Sequence, residues 1–252
     1  MKDLAEKRYT IETCTDTAYS CKMAVEGGCD RIELCSSLAL GGLTPSASLI
    51  EYACNLPSVS IAVMIRPRCG DFLYDDDEFE LMKRDIELSK ELGAGSVVFG
   101  ILTPEAMVDK KRTRLLVEAA EGMQVCFHRA IDMTQNIMQS MEDIIACGCH
   151  RVLTSGGFAT AAEGIEVIKQ MQQSFGKSID IMVGSAVSSS NVKRFRDIGI
   201  RSFHLSGKAD CESRMSFRKA GISMVATDPA REYVLSQTDP CKIAALREAL
   251  NS

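Results

Sequence analysis

The sequence predicts a closed (β/α)8 barrel of the TIM type, and three observations carry that prediction. Eight short apolar segments rich in Val, Ile, Phe and Met recur along the chain. Each is followed by a helix or helix-like run, and strands that alternate with helices are joined by parallel crossovers. Eight such units within 252 residues are what barrel closure requires. A doubly wound open sheet is the alternative. That fold usually has fewer strands and favours a glycine-rich turn after its first strand, whereas Cys14-Thr15-Asp16 stands there in this chain.

The first strand is Tyr9-Thr10-Ile11-Glu12-Thr13-Cys14. A helical run follows with Ala18, Met23, Ala24 and Val25 on its apolar side, and Gly27-Gly28 ends it. The second strand is Arg31-Ile32-Glu33-Leu34-Cys35, and the loop Gly41-Gly42-Leu43-Thr44-Pro45-Ser46 launches the next helix. Further strands are expected at 60–65, 96–99, 124–127, 151–154, 179–183 and 202–205. The helices between them are expected at 49–55, 77–92, 112–120, 137–146, 161–175 and 191–197. Leu92-Gly93, Cys147-Gly148, Gly176 and Gly199 supply stops. The charge run Asp75, Asp76, Asp77, Glu78 suits a helix start, where it meets the positive end of the dipole. Met82, Met138, Met141 and Met171 lie on helices and read as flexible core filler. After the eighth strand, 206–238 is polar and lacks periodicity, so it is expected to be irregular. A final helix then begins with Asp239 as cap and Pro240 at its first position. No linker divides the chain, so 1–252 is expected to form one domain.

Composition narrows the function classes. The chain is 46% hydrophobic, ample for one sizeable core. Its net charge of −5 is made of mixed signs with no basic block, which argues against nucleic acid or an anionic membrane surface as partner. The first eight residues are charged and lack the apolar centre of a secretory signal, and no apolar run approaches membrane-spanning length. There are eleven cysteines, an odd number in a long chain. Reduced thiols in a cytosolic protein are the expectation.

In a barrel, the carboxyl ends of the strands and the loops after them build the functional mouth. Those positions hold Glu12 and Cys14, Glu33 and Cys35, and then Arg66-Pro67-Arg68-Cys69-Gly70-Asp71-Phe72. His128-Arg129-Ala130-Ile131-Asp132, Thr154-Ser155-Gly156-Gly157, Gly184-Ser185 and the stretch from His204 to Lys208 complete them. A purely structural barrel has little reason to converge so many charges, because buried charge is costly unless paired. The plain alternatives are an ion-pair network of Arg66, Arg68, Glu12 and Glu33 that closes the barrel, a satisfied core His128, and an Arg129–Asp132 pair within one loop.

Two constellations rise above these. Side chains alternate along a strand, so Glu12 and Cys14 share a face, as do Glu33 and Cys35. Cys14 and Cys35 are expected at matching positions on adjacent strands, about 4.8 Å apart laterally. Thiolates are soft ligands, and two of them suffice for low-coordinate Cu(I). Structural zinc would want four ligands in tandem spacing that this chain lacks. Buried free cysteines acting as small hydrophobes are the plain reading. The second constellation is an anion site, in which Ser155, Gly156, Gly184 and Ser185, with Ser206-Gly207-Lys208, offer backbone N–H groups after strands six, seven and eight.

Five motifs carry a resemblance to a known family. They are Cys29-Asp30-Arg31-Ile32-Glu33-Leu34-Cys35, Gly41-Gly42-Leu43-Thr44-Pro45-Ser46, Met64-Ile65-Arg66-Pro67-Arg68 with Gly70-Asp71-Phe72, Phe127-His128-Arg129-Ala130 with Asp132, and Arg151-Val152-Leu153-Thr154-Ser155-Gly156. In this order, from the first strand to about Met224, the chain resembles the copper homeostasis protein CutC family. The resemblance implies a (β/α)8 barrel, a cytoplasmic protein that self-associates, and a role in handling Cu(I). It matches the family's copper cysteines to Cys14 and Cys35, and its mouth residues to Glu12, Glu33, Arg66, Arg68, His128, Arg129 and Asp132. Three departures stand out: Cys69 and Ala186 replace usual glycines, and Ile131 replaces a usual Phe. Cys69 would bring a third thiol near the mouth.

Two functions follow as expectations. One is a cytosolic copper-homeostasis protein that binds Cu(I) through Cys14 and Cys35. The other is an enzyme acting on a small anionic or phosphorylated metabolite, with Arg66 and Arg68 holding the anion and Glu12, Glu33 or His128 moving protons.

Overall fold

The computed structural model describes residues 9–224 and 229–252. The expectation about the first eight residues, and positions 225–228 of the expected irregular segment, lie outside the described residues. Eight parallel strands close into a barrel in chain order: β1 Thr10–Thr15, β2 Arg31–Leu34, β3 Ser60–Met64, β4 Ser96–Phe99, β5 Gln124–Phe127, β6 Arg151–Thr154, β7 Asp180–Val183 and β8 Ser202–Leu205. β8 pairs with β1, and the ring leaves no barrel edge open. The helices are α1 Ala18–Glu26, α2 Ala47–Cys54, α3 Asp76–Glu91, α4 Lys110–Ala119, α5 Ile137–Ala146, α6 Ile165–Phe175, α7 Val192–Asp197 and α8 Pro240–Asn251.

Strand alternation sorts the core into two layers. Ile11, Ile32, Val63, Phe99, Phe127 and Phe203 point outward and pack under the helices. Met82, Met141 and Met171 join them, fully buried as core filler. Cys35, Ala62, Met64, Val98, Cys126, Leu153 and Met182 point inward and fill the barrel. Beside them, Glu12, Arg31, Glu33 and His204 are buried too.

The helix signals work through local hydrogen bonds. Asp75 caps α3 by accepting from the Glu78 N–H, and Glu78 returns the bond to the Asp75 N–H, so the charge run is a capping box. Asp239 caps α8 with Pro240 at its first position, as expected.

Three expectations need correction. Cys14 and Cys35 are not lateral partners: Cys14 stands opposite Glu33, and Cys35 lies diagonally, two residues on and just past the end of β2. The strands of a closed barrel are staggered, so equal motif positions do not fall at equal heights. Helix α6 begins at Ile165 rather than at 161. The chain before it is tied across the mouth, because the Ala161 N–H donates to the Ser185 carbonyl. Gly164 then passes so close to β6 that an added Cβ would lie 2.0 Å from the Ser155 carbonyl oxygen. Finally, the segment expected to be irregular contains an antiparallel ribbon, β9 Lys208–Glu212 against β10 Val234–Thr238. Both strands are largely exposed, so they lack the burial that imprints alternation on a sequence.

Candidate metal centre at the barrel mouth

The floor of the mouth is built by β1, β2 and β8. β8 places His204 directly beside Glu12 in register. The Nδ1–H of His204 donates to Glu12 Oε1 at 2.8 Å, and Arg31 Nε donates to Glu12 Oε2. The far ring nitrogen of His204, Nε2, lies 3.8 Å from Glu33 Oε2. Ligand atoms of Cys14, Glu33 and His204 all fall within 4.8 Å of one another. The Cys35 thiol is fully buried beside them and donates weakly to Glu33 Oε2 at 3.7 Å.

Burial and charge divide the two carboxyls. Burial alone would raise Glu12, but the Arg31 charge and the bond and charge of His204 outweigh it and hold Glu12 at about 2. Glu33 has no such partner. Burial lifts it to about 7, with the Glu12 charge adding to the rise and His204 opposing it. Burial works against a charged His204, yet Glu33, Cys14 and Glu12 raise it well above the ordinary imidazole value. Burial first, then Glu33 and Cys14, drive the Cys35 thiol well above the ordinary thiol value. His204 Nε2 and Glu33 Oε2 therefore face each other, 3.8 Å apart, beside the Cys14 thiol.

Arg66 and His128 share one aromatic partner. The Arg66 guanidinium lies 5.1 Å from the Phe72 ring centroid, and the His128 ring lies 4.8 Å from it on centroids. Arg66 is buried and donates to the carbonyls of Leu40, Gly42 and Gly70 at 3.2, 3.1 and 2.8 Å. Arg68 turns outward to Glu78 at 2.5 Å and Asp71 at 3.0 Å. The two arginines thus do not converge as a clamp; each ties loops together. Cys69 is exposed on the same loop.

His128 accepts the Ala130 N–H on Nδ1 at 3.2 Å. Burial and the Arg66 charge lower it to about 3. The unfolded value is about 6.5, so between these values the unfolded chain binds more protons. Its contribution is complete above about pH 6.5 and is lost as pH falls through that interval. Between pH 7 and pH 4 the loss should reach about 3 kcal/mol. Urea unfolding of His128→Gln should show a weaker pH dependence by that amount; parallel curves would contradict it.

Asp132 sits where an anion was expected. Its carboxylate accepts from Thr154 Oγ1 at 2.6 Å, Ser155 N–H at 3.0 Å, Ser155 Oγ at 2.9 Å, Gly157 N–H at 3.0 Å and Arg129 Nε at 2.8 Å. The donors at Ser155 and in the following turn are therefore already engaged, and the Gly156 N–H bonds Thr154 Oγ1. The Arg129–Asp132 pair anticipated within one loop does form.

Across the mouth, Ser185 and Ala186 follow Gly184 in left-handed conformations, with φ of 76° and 58°. Glycine adopts that conformation without strain, whereas alanine does not. Ala186→Gly should stabilise the chain by up to about 1 kcal/mol in urea titration; a loss of stability would contradict the account.

A cleft of about 610 Å³ opens above the floor, lined by Cys14 and His204 below and by Arg129, Ser185, Lys208 and Cys241 among others. His204 was legible only as one polar residue among several after strand eight. Its partnership with Glu12 joins the first and last strands, which no local pattern reveals.

The comparisons agree with this architecture. Residues 9–209 match the model of the CutC family. The CutC family protein of Vibrio vulnificus strain CMCP6 is 46% identical over 223 residues, covering 87% of this chain and 89% of that protein. The human copper homeostasis protein cutC homolog is 39% identical over 243 residues, covering 96% of this chain and 89% of that protein. Among solved structures, the putative copper homeostasis protein CutC from Streptococcus agalactiae superposes with a TM-score of 0.75 at 32% identity, covering 79% of this chain and 98% of that one. A thiamine phosphate pyrophosphorylase from Pyrococcus furiosus, at 12% identity and a TM-score of 0.58, shares the fold alone. With relatives this similar along most of their length and a family model spanning the barrel, this chain belongs to the CutC family.

Proposed function

We propose that this chain binds Cu(I) between Cys14 and Cys35 and serves copper homeostasis in the cytoplasm as a self-associating protein. One observation carries the reading: each thiol stands beside the Glu33 carboxyl, which can take its proton. Cys14 lies within 4.8 Å of a Glu33 ligand atom, and Cys35 lies 3.7 Å from Glu33 Oε2. Thiols bind metal only as thiolates, so a neighbouring acceptor lowers the cost of loading. Cu(I) is soft and accepts two thiolates in low coordination. Cys14 lines the cleft while Cys35 is fully buried behind it, so the ion would enter past Cys14. All eleven cysteines are free thiols, which suits a reducing compartment. Exposed Met215, Phe217 and Met224 offer apolar surface for a second copy.

The test is competition for Cu(I) against a chromogenic chelator under reducing conditions. The double variant Cys14→Ser, Cys35→Ser should lose at least about a hundredfold in affinity while keeping its fold, since soft ligands are replaced by hard ones. Retained affinity would remove the site. Light scattering should return a mass above 27.5 kDa.

A second reading has its own support. The cleft far exceeds a bare ion, and Arg129, Lys208 and Lys242 line it. A small anionic or phosphorylated metabolite would fit there, held by these cations and the Gly184-Ser185 turn, with Glu12, Glu33 or His128 moving protons. A thermal-shift panel of organic anions separates the readings: copper-independent stabilisation supports an enzyme, and none counts against it.

A further inference from the structure

One buried group in the mouth is left over by the Cu(I) reading. Glu33 is 3% exposed, and its Oε1 has no hydrogen-bond partner among the described residues. Its other oxygen receives only the Cys35 thiol at 3.7 Å, a weak donor. His204 Nε2 faces that same oxygen at 3.8 Å, too far for a hydrogen bond. A carboxylate so poorly satisfied is costly to bury. A cation between the three groups would satisfy it.

We infer that Cys14, Glu33 and His204 form a three-ligand site for a borderline divalent cation of the zinc class, with a fourth position open to the cleft. Tetrahedral zinc with bonds of about 2.0–2.3 Å sets its ligand atoms roughly 3.4–3.8 Å apart. The Glu33–His204 separation of 3.8 Å is already near that edge, and no pair in the trio exceeds 4.8 Å. One sulfur, one nitrogen and one oxygen suit zinc, whereas Cu(I) between two thiolates makes no use of Glu33 or of His204 as ligands. Glu12 completes the arrangement. It holds His204 Nδ1–H at 2.8 Å and is itself fixed by Arg31, so Nε2 is aimed at the trio. Cys14 and His204 line the cleft, which puts the unligated side of the ion toward that space. Arg129 and Lys208 line the same cleft, so the outside ligand it favours is a small oxoanion that coordinates through oxygen. This site is separate from the Cu(I) pair in two of its three ligands.

The test is a Co(II) titration of the reduced, metal-free full chain, followed optically. One equivalent should produce a thiolate-to-cobalt charge-transfer band and the intense visible bands of four-coordinate Co(II). Inorganic phosphate should then shift the visible bands. Cys14→Ser should remove the charge-transfer band, and Glu33→Gln and His204→Gln should each weaken Co(II) binding by at least about tenfold. Cys35→Ser should leave the Co(II) spectrum intact while abolishing tight Cu(I) binding, and His204→Gln should change Cu(I) affinity by less than about threefold. The two readings therefore fail separately. A wild-type spectrum without the thiolate band, weak six-coordinate bands, bands unmoved by phosphate, or Co(II) affinity that survives both Glu33→Gln and His204→Gln would overturn the inference. The wild-type spectrum decides even where a variant fails to fold.

Discussion

Replacing Asp132 by Ala is expected to destabilise the protein by about 3–5 kcal/mol, because it removes the acceptor from a buried, charge-assisted network. The side chain is 5% exposed and paired with Arg129 at 2.8 Å. Its two oxygens also satisfy the N–H groups of Ser155 and Gly157 and the hydroxyls of Thr154 and Ser155. Truncation strands two backbone donors in a turn that Gly156 and Gly157 hold in left-handed conformations. Asp132→Asn keeps the shape but presents a donor where an acceptor is needed, so it should fall between Ala and wild type. Urea unfolding measures both. A loss below about 1 kcal/mol for the Ala variant would show that the donors find other partners.

Glu12→Gln should cost a similar amount for a different reason. Glu12 is fully buried and joins Arg31 on β2 to His204 on β8, closing the barrel seam through side chains. The amide leaves the buried Arg31 guanidinium without its nearest countercharge, a change worth about 3–5 kcal/mol. The pH dependence identifies the cause. Glu12 falls from 4.5 to about 2 in the folded chain, so the unfolded chain binds more protons between those values. Its contribution is complete above about pH 4.5 and is lost as pH falls through 2. The penalty of Glu12→Gln should therefore shrink by about 3 kcal/mol between pH 7 and pH 2. A penalty independent of pH would indicate lost packing instead.

The strands were legible because each is a short apolar run buried on both faces, and 96–99, 124–127, 151–154 and 202–205 match the structure residue for residue. The mouth was legible as a list for the same reason: once strand ends are known, the barrel fixes which residues reach the rim. What escaped depends on non-local pairing. The β9–β10 ribbon joins Glu212 to Val234 across the chain with little buried surface to mark it. The stagger that sets Cys14 against Glu33 is a property of closure and leaves no trace in either strand alone. Asp132 filling the turn after β6 looks in sequence like any loop acid. The role of Arg66 as a tie between loops, rather than an anion clamp, depends on three carbonyls that no side-chain pattern reports.

The two thiols of the mouth acting together on Cu(I) is the claim on which the functional account depends. X-ray absorption at the copper edge, on the reduced chain loaded with one equivalent of Cu(I), addresses it most directly. The account predicts a low-coordinate ion with two sulfur neighbours, one of which is lost in Cys14→Ser and one in Cys35→Ser. A shell of nitrogen and oxygen, or sulfur scattering unchanged in both variants, would contradict it.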